Sequence, residues 1–391
     1  PLAHVMERLI FCVGITFGVA YGFYSGNARN MVDDAKILRP TCMCGVPKIY
    51  HRIYEAINDN IEKLPYIKKK LVQKAIDTKL FNLKQRGTVT HAFWDKVVFG
   101  KMRDILGGRI KFLLTGSAPL DPKMLDFLRI CFSATIFEGY GQTESMAGMI
   151  LTYATENTAG HLGGPGWANE IKLLDHPDLG YTSKDVDPDT GIPTPRGEIL
   201  LRGPTLFKRY FCNPEATKEA YDKDGWFHSG DVAQVLTNHG NALKIIDRVK
   251  NMFKLSQGEY IAPEKLENVL VASKFVNQIC ILGNSLESYL VAILVPRHDT
   301  LIEYFKTKGK EVTKENILDY YDDPELVKDI LKDLETIGRA HDFKGFEIIK
   351  KLYMCKEPFS VDNDLLAPTL KNKRHNIQKR YKKEIDALYG R

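Results

Sequence analysis

The sequence offers little to a disulfide or a structural metal. Its seven cysteines show no paired spacing beyond Cys42-Met43-Cys44, which argues against both and for reduced thiols in a cytosol-facing compartment. Zinc-finger spacing and arginine-rich tracts are missing, which argues against nucleic acid as a partner. No charge of one sign dominates: 55 Lys and Arg stand against 49 Asp and Glu, a net +6 over 391 residues. Much of that surplus lies near the C-terminal end, in Lys371, Lys373, Arg374, Lys379, Arg380, Lys382 and Lys383. The cluster suits a phosphate-bearing partner or an anionic membrane surface, but a solvated helix face is the commoner explanation. Long hydrophobic runs are lacking too. The most apolar stretch, LIFCVGITFGVAYGFY from Leu9 to Tyr24, falls short of the roughly 20 residues a bilayer span needs. It also holds Gly14, Gly18 and Gly22, and predicts a buried helix passing into a buried strand. No leader precedes it, and Pro1 stands where Met would begin a chain, which suggests a chain cut from something longer.

What is present reads as a soluble globular composition, in a chain long enough for at least two folding units. RIKFLL (Arg109 to Leu114) has strand character and ends in Thr115-Gly116-Ser117-Ala118-Pro119. Asp121-Pro122 then supplies a helix cap and a first-turn proline, followed by an apolar stripe at Met124, Leu125 and Leu128. A second strand, Ala134 to Phe137, runs into GYGQTE, where Gly139 and Gly141 flank an aromatic and make a strand hard to sustain. Strand, helix, strand over about 30 residues is a βαβ unit with parallel strands. Its two Gly-rich loops therefore share the sheet edge at which open α/β folds bind ligands. GYGQTE alone is equally a capped strand-to-helix loop; convergence with TGSAP favours a nucleotide site.

Beyond residue 160 short β-like runs, EILLR (198–202), VAQVL (232–236) and ALKIID (242–247), imply an antiparallel module, the last two joined by a hairpin-like TNHGN. The pattern changes again near Lys250, where a domain boundary is expected. Pro263 opens a helix, strands follow at 279–282 and 290–295, and a charged helical stretch is expected from about Thr313 to Lys351.

TGSAP, GYGQTE, GEILLRGP, WFHSGD and DRVKNMFKLSQGEYIAPEKLE occur in the order and approximate spacing of the adenylate-forming enzymes, and the whole chain resembles a long-chain fatty acyl-CoA synthetase. PLAHVMER, LRPTCMCGVPKIYHRIYEAI and SLESYLVAILVP point to that branch. The resemblance implies an α/β fold: a partial large domain (1–249) with the βαβ sheet and the antiparallel module, and a smaller mobile α+β domain (250–391) hinged at Lys250. It implies ATP- and magnesium-dependent conversion of a long-chain fatty acid to an acyl-adenylate, then transfer to CoA. By resemblance, the backbone of Gly116, Ser117 and Ala118 lines adenine, Tyr140 stacks near it, and Gly141 belongs to the same nucleotide loop. Thr143 donates to the α-phosphate and Glu144 holds magnesium. Asp231 takes the ribose hydroxyls and Arg248 is a second ribose and phosphate contact. Lys371 is the adenylating lysine.

The residues leave alternatives open. Asp231 also reads as a turn aspartate, Arg248-x-Lys250 as ordinary surface, and Lys373 competes with Lys371, while a solvated basic helix explains both lysines. His4 occupies a family position near the acyl carboxylate and also reads as a satisfied core histidine. Ser229 stands where the family often has Thr. The family's Ser/Thr/Gly-rich phosphate loop ending in Pro-Lys-Gly is not in this sequence, so the chain by itself is expected to be inactive. A nucleotide- or acyl-binding fragment without turnover and a carrier-protein thiol as acceptor are the alternatives. The setting implied is cytosol-facing, with peripheral or anchored association with a membrane such as the endoplasmic reticulum.

Overall fold

The computed structural model describes residues 2, 4–27, 30–154, 156–188, 190–367 and 370–391. The chain forms two compact units: 1–175 with 181–229 and 233–245, and 246–391 with 176–180 and 230–232. No helix among the described residues is long and apolar enough to cross a membrane.

The first unit begins with helix α1 (Val5–Thr16), capped by the His4 ring accepting from the Met6 N–H at 3.2 Å. Pro1 and Ala3 of PLAHV lie outside the described residues. Contrary to the sequence expectation, Leu9 to Tyr24 is neither buried throughout nor followed by a strand. Gly14 is the only buried residue of α1, and Phe17, Val19 and Phe23 are exposed. Gly18, at φ +64°, turns the chain back, so the Tyr21 ring packs edge-on against Phe11 at 5.3 Å. A Cβ at Gly14 would stand 2.3 Å from that ring. Among the described residues, no strand lies alongside 17–24 to satisfy its backbone, and apolar content alone does not make a strand.

Helices α2 (Met31–Leu38), α3 (Pro47–Glu62) and α4 (Tyr66–Arg86) follow, and a five-stranded sheet carries the loops of interest. Its order is β1 (Cys42–Gly45), β2 (Phe112–Gly116), β3 (Thr135–Tyr140), β4 (Ile150–Leu151) and β5 (Gly164–Pro165). β1, β2 and β3 are parallel, and β4 and β5 add antiparallel. The crossover helix α5 (Pro122–Phe132) starts as expected, with Asp121 accepting the Met124 N–H at 2.8 Å. β3 runs through Gly139 rather than ending before it, because Gly139 is paired on both sides, with Gly116 and with Leu151. The Tyr50 hydroxyl ties β1 to β2, donating toward the carbonyls of Met43 and Leu114 at 3.1 and 2.8 Å. Strands β6 (Glu170–Leu174), β7 (Arg196–Arg202), β8 (Phe227–Leu236) and β9 (Ala242–Arg248) form the second sheet in that order, with β6 and β7 antiparallel.

In the second unit the short pair β10 (Phe253–Lys254) and β11 (Tyr260–Ile261) leads to helix α6 (Pro263–Leu270). A three-stranded sheet follows: β12 (Val276–Leu282), β13 (Leu290–Pro296) and β14 (Ile349–Met354). β13 is buried on both faces, Leu290, Ala292 and Leu294 in one core and Val291, Ile293 and Val295 in another, as a central strand requires. The expected helical stretch from Thr313 to Lys351 is corrected: helix α7 covers Pro324–Arg339, and β14 then pairs parallel to β13. The i, i+3 apolar spacing of Ile349 and Leu352 reads as helix locally. Only the open edge of β13 makes it a strand.

Buried Lys79 on α4 joins elements of the first unit. Its ammonium meets Asp95 Oδ1 at 2.6 Å, Ser133 Oγ at 3.0 Å and the Ile130 carbonyl, over the Phe99 ring. Lys79→Ala should leave Asp95 without its main buried partner and cost about 3 kcal/mol. Denaturant unfolding of Lys79→Ala beside the Lys79→Ala/Asp95→Ala double variant checks this, and the double variant should recover part of the loss.

Candidate functional site

In the first unit the parallel register sets Gly116 beside Gly139. TGSAP and GYGQTE therefore leave the sheet side by side. A Cβ at Gly116 would lie 3.1 Å from the Gly139 carbonyl oxygen. Ser117 turns the first loop at φ +72°, and Ala118 follows, half-buried. The carboxyl of Glu138 accepts the Leu120 N–H at 3.2 Å, so β3 braces the loop that follows β2. Burial pushes Glu138 up to about 7, against the opposing effects of the Leu120 N–H and Arg129.

The second loop is organised by Gln142. Its backbone N–H donates to Ser145 Oγ at 2.9 Å, and its carbonyl accepts the N–H groups of Ser145 and Ala147. Its side-chain amide donates to the Ser229 carbonyl at 2.7 Å, fastening GYGQTE to WFHSGD. This tight return explains Gly141, where a Cβ would be 2.0 Å from the Ala147 oxygen. Thr143 and Glu144 sit on the resulting single turn, Thr143–Ser145. Thr143 is exposed, and half-buried Tyr140 lies at the end of β3.

Glu144 is fixed at both ends. Its carbonyl accepts the Phe207 N–H at 2.7 Å, and its Oε1 accepts the Tyr210 hydroxyl at 2.8 Å. Burial, with the adjacent Glu144 carboxylate, pushes the Tyr210 hydroxyl up to about 12, so it stays a donor at neutral pH. Tyr210 itself packs on Phe207 at 4.6 Å. A carboxylate oriented in this way fits a hard cation that takes its other ligands from phosphate and water. Among the described residues no cluster of three or more metal-ligating side chains occurs.

In the second unit Asp231 is buried and accepts Arg248 Nε at 3.0 Å. The structure thus joins the two residues expected on a ribose. Next to Arg248, buried Asp247 accepts the Arg248 N–H at 2.6 Å and the Glu264 N–H at 2.9 Å. Burial and then Glu264 raise Asp247 to about 7. Exposed Lys250 lies on the turn Val249–Asn251. Glu264 Oε1 accepts the Asn251 amide at 2.7 Å, and Lys371 Nζ lies 4.0 Å from Glu264 Oε2.

The two competing lysines differ. Lys373 is paired with Asp364, while Lys371 is next to the carboxylate that also holds the 249–251 turn. Arg374 anchors their segment, bidentate to Glu267 at 2.6 and 3.0 Å and donating to the Ile281 carbonyl. Pro368 and Thr369 of PTLKNKR lie outside the described residues.

Sequence reasoning gave no role to Glu138, Gln142, Tyr210, Asp247 or Glu264. For Asp247 a signal existed: α6 begins at Pro263 after Ala262, which has no side chain able to cap it, so a cap from elsewhere was needed. Tyr210 carried none, since its partner is 66 residues away.

Residues 1–211 match the family model described as AMP-binding enzyme. Over its whole length the chain is 42% identical to long chain acyl-CoA synthetase 7, peroxisomal, of Arabidopsis thaliana, covering 54% of that protein. It is 41% identical to fatty acyl-CoA synthetase A of Dictyostelium discoideum, covering 57%. The chain thus spans about half the length of the curated relatives it matches. Among solved structures, the A-PCP didomain of carboxylic acid reductase from Segniliparus rugosus in complex with AMP is similar at a TM-score of 0.74 and 27% identity. That match covers all of this chain and 47% of the other.

The Glu138 environment has a pH consequence. Because its folded pKa lies above the ordinary carboxyl value, its contribution to stability is full below about 4.5 and is lost as pH rises through about 7. Glu138→Gln should keep the acceptor for Leu120 without that loss. Its stability relative to the parent should improve by about 3 kcal/mol between pH 4.5 and pH 8, which denaturant melts at the two pH values measure.

Proposed function

Because the chain belongs to the AMP-binding enzyme family, we propose that it carries most of the nucleotide site of a ligase that activates a long-chain fatty acid with ATP and transfers the acyl group to CoA, releasing AMP and pyrophosphate. The observation that carries this reading is the convergence at one sheet edge of the 116–118 and 139–144 loops, through the Gly116–Gly139 register. The chemistry requires two anions, a carboxylate and a triphosphate, to meet, so donors and cations must offset their repulsion. Ser117, Ala118 and Tyr140 flank the base, with Gly116 and Gly141 allowing the backbone to come close. Asp231 receives the ribose hydroxyls, oriented by Arg248. The Thr143 hydroxyl donates to the α-phosphate. Glu144, aimed by Tyr210, would hold Mg2+, which when bound supplies positive charge to the phosphates. Lys371 donates to the carboxylate and α-phosphate oxygens during adenylation, and Lys250 is the hinge between the half-reactions.

The test is fatty-acid-dependent pyrophosphate release over acyl chains from acetate to stearate. It is run on the chain alone and on the chain completed with the phosphate-loop segment of a relative. The completed protein should turn over long chains and the chain alone should not. An inert completed protein that still binds nucleotide would support the binding-fragment alternative instead.

Two substitutions test the roles in the completed protein. Asp231→Ala should weaken ATP use by about 1.5 to 3 kcal/mol with fatty-acid binding little changed, and an unaltered apparent ATP affinity would remove the ribose role. Lys371→Ala should slow adenylation roughly 100- to 1,000-fold and spare thioester formation from presynthesised acyl-adenylate. Lys373→Ala should do neither; the opposite pattern in these half-reaction assays would transfer the role to Lys373.

A further inference from the structure

The basic residues near the C-terminal end are not alike once the second unit is folded. Helices α8 (Arg374–Arg380) and α9 (Lys382–Tyr389) meet at Tyr381. The Tyr381 N–H donates to the Ile377 carbonyl at 3.0 Å and the Ile385 N–H to the Tyr381 carbonyl at 2.9 Å, so helical spacing continues across the joint. Ile377 and Tyr381 enter the core of the unit. Lys379, Lys382, Ile385 and Tyr389, three or four residues apart and so on one face, line one wall of a cavity of about 410 Å3, and Asn284 and Arg391 line the other.

The charges around that cavity are unevenly matched. Arg391 is engaged: its N–H donates to the Asp386 carbonyl at 2.9 Å and its guanidinium pairs with buried Glu287, which draws the 284–287 loop against the end of α9. Outside the cavity, Lys373 and Arg380 pair with Asp364 and Glu357. Lys379 and Lys382, inside it, form no ion pair with any described residue. Asn284 is oriented as a donor, because its Oδ1 already accepts the Leu286 N–H at 2.8 Å and its NH2 group remains to donate. Two ammoniums one turn apart repel each other, and Lys382 in the first turn of α9 also opposes the helix dipole. Held there beside an amide donor, with Asp386 as the one carboxylate of the lining, they present a place for an anion.

The volume narrows the kind of anion. A bare phosphate would fill a fraction of the cavity and leave Ile385 and Tyr389 facing water, whereas roughly 300 Å3 and above is the size of a small-molecule pocket. We propose that this cavity binds a phosphate monoester of a small apolar or aromatic group. The phosphate accepts from Lys379, Lys382 and the Asn284 amide, and the organic part lies against Ile385 and the Tyr389 ring. Both ends of the ligand are held inside the cavity, so the ligand is a soluble ester. The cavity lies wholly in the second unit and contains none of the residues assigned to the ligase reaction, so its test succeeds or fails apart from that reading.

Phenyl phosphate is the probe, titrated calorimetrically into the purified chain. It should bind with a dissociation constant of about 1 mM or tighter, and more weakly as salt is raised. Inorganic phosphate should bind at least about fivefold more weakly, and benzyl alcohol should not bind. Lys379→Gln/Lys382→Gln should weaken phenyl phosphate at least about tenfold, and Asp386→Asn should strengthen it about twofold by removing a like charge. Lys383→Gln, outside the cavity, should bind like the parent, with circular dichroism showing the parent fold in every variant. The proposal is overturned if phenyl phosphate does not bind, if the double variant binds it as well as the parent, or if inorganic phosphate binds equally well. It is equally overturned if vesicles containing phosphatidic acid displace phenyl phosphate, which would make a lipid headgroup the ligand.

Discussion

Two glycines side by side in a parallel ladder, Gly116 on β2 and Gly139 on β3, are the constraint from which the site in the first unit follows. Parallel strands end at the same edge, so the loops that leave them must share space there. That space exists because neither strand carries a side chain at the last paired position. Each loop is then tied back by side chains: Glu138 receives the Leu120 N–H of the first, and Gln142 fastens the second to Ser229. The result is a backbone rim whose two loops are held by hydrogen bonds within the unit.

In the second unit the corresponding role falls to buried carboxylates. Asp247 supplies the cap that Ala262 cannot and fixes the Arg248 backbone. Glu267 holds Arg374 and so the segment bearing Lys371 and Lys373. Burying such groups is unfavourable unless every oxygen is paired, and the two residues meet that condition through backbone N–H groups and a bidentate guanidinium. Glu264 then brings Asn251 and Lys371 to one side chain, so the turn containing Lys250 and the lysine segment are held together within that unit.

Where reading the sequence went wrong, the error was one of environment. Leu9 to Tyr24 has the composition of a buried element, yet a strand requires a neighbour for its N–H and C=O groups, and the sheet begins elsewhere, at β1. Ile349 to Met354 has the spacing of a helix, yet it lies against the open edge of β13 and pairs there. Composition and period describe a segment's preferences; the partner that satisfies its backbone is not written in the segment.

The sequence by itself determined the strand–loop–helix order from Phe112 to Tyr140, the Asp121-Pro122 helix start and the side-by-side placement of the two Gly-rich loops. Turn chemistry, capping and strand alternation act within a few residues, and βαβ handedness does the rest over one crossover. Only the tertiary structure decided that Tyr210 orients Glu144 across 66 residues and that Arg374 pairs with Glu267 across 107. It alone made Lys371 and Lys373, two residues apart and alike in sequence, face different carboxylates. Such contacts are set by where separately folded strands and helices bring their ends, a property of the packed chain and not of any local stretch of it.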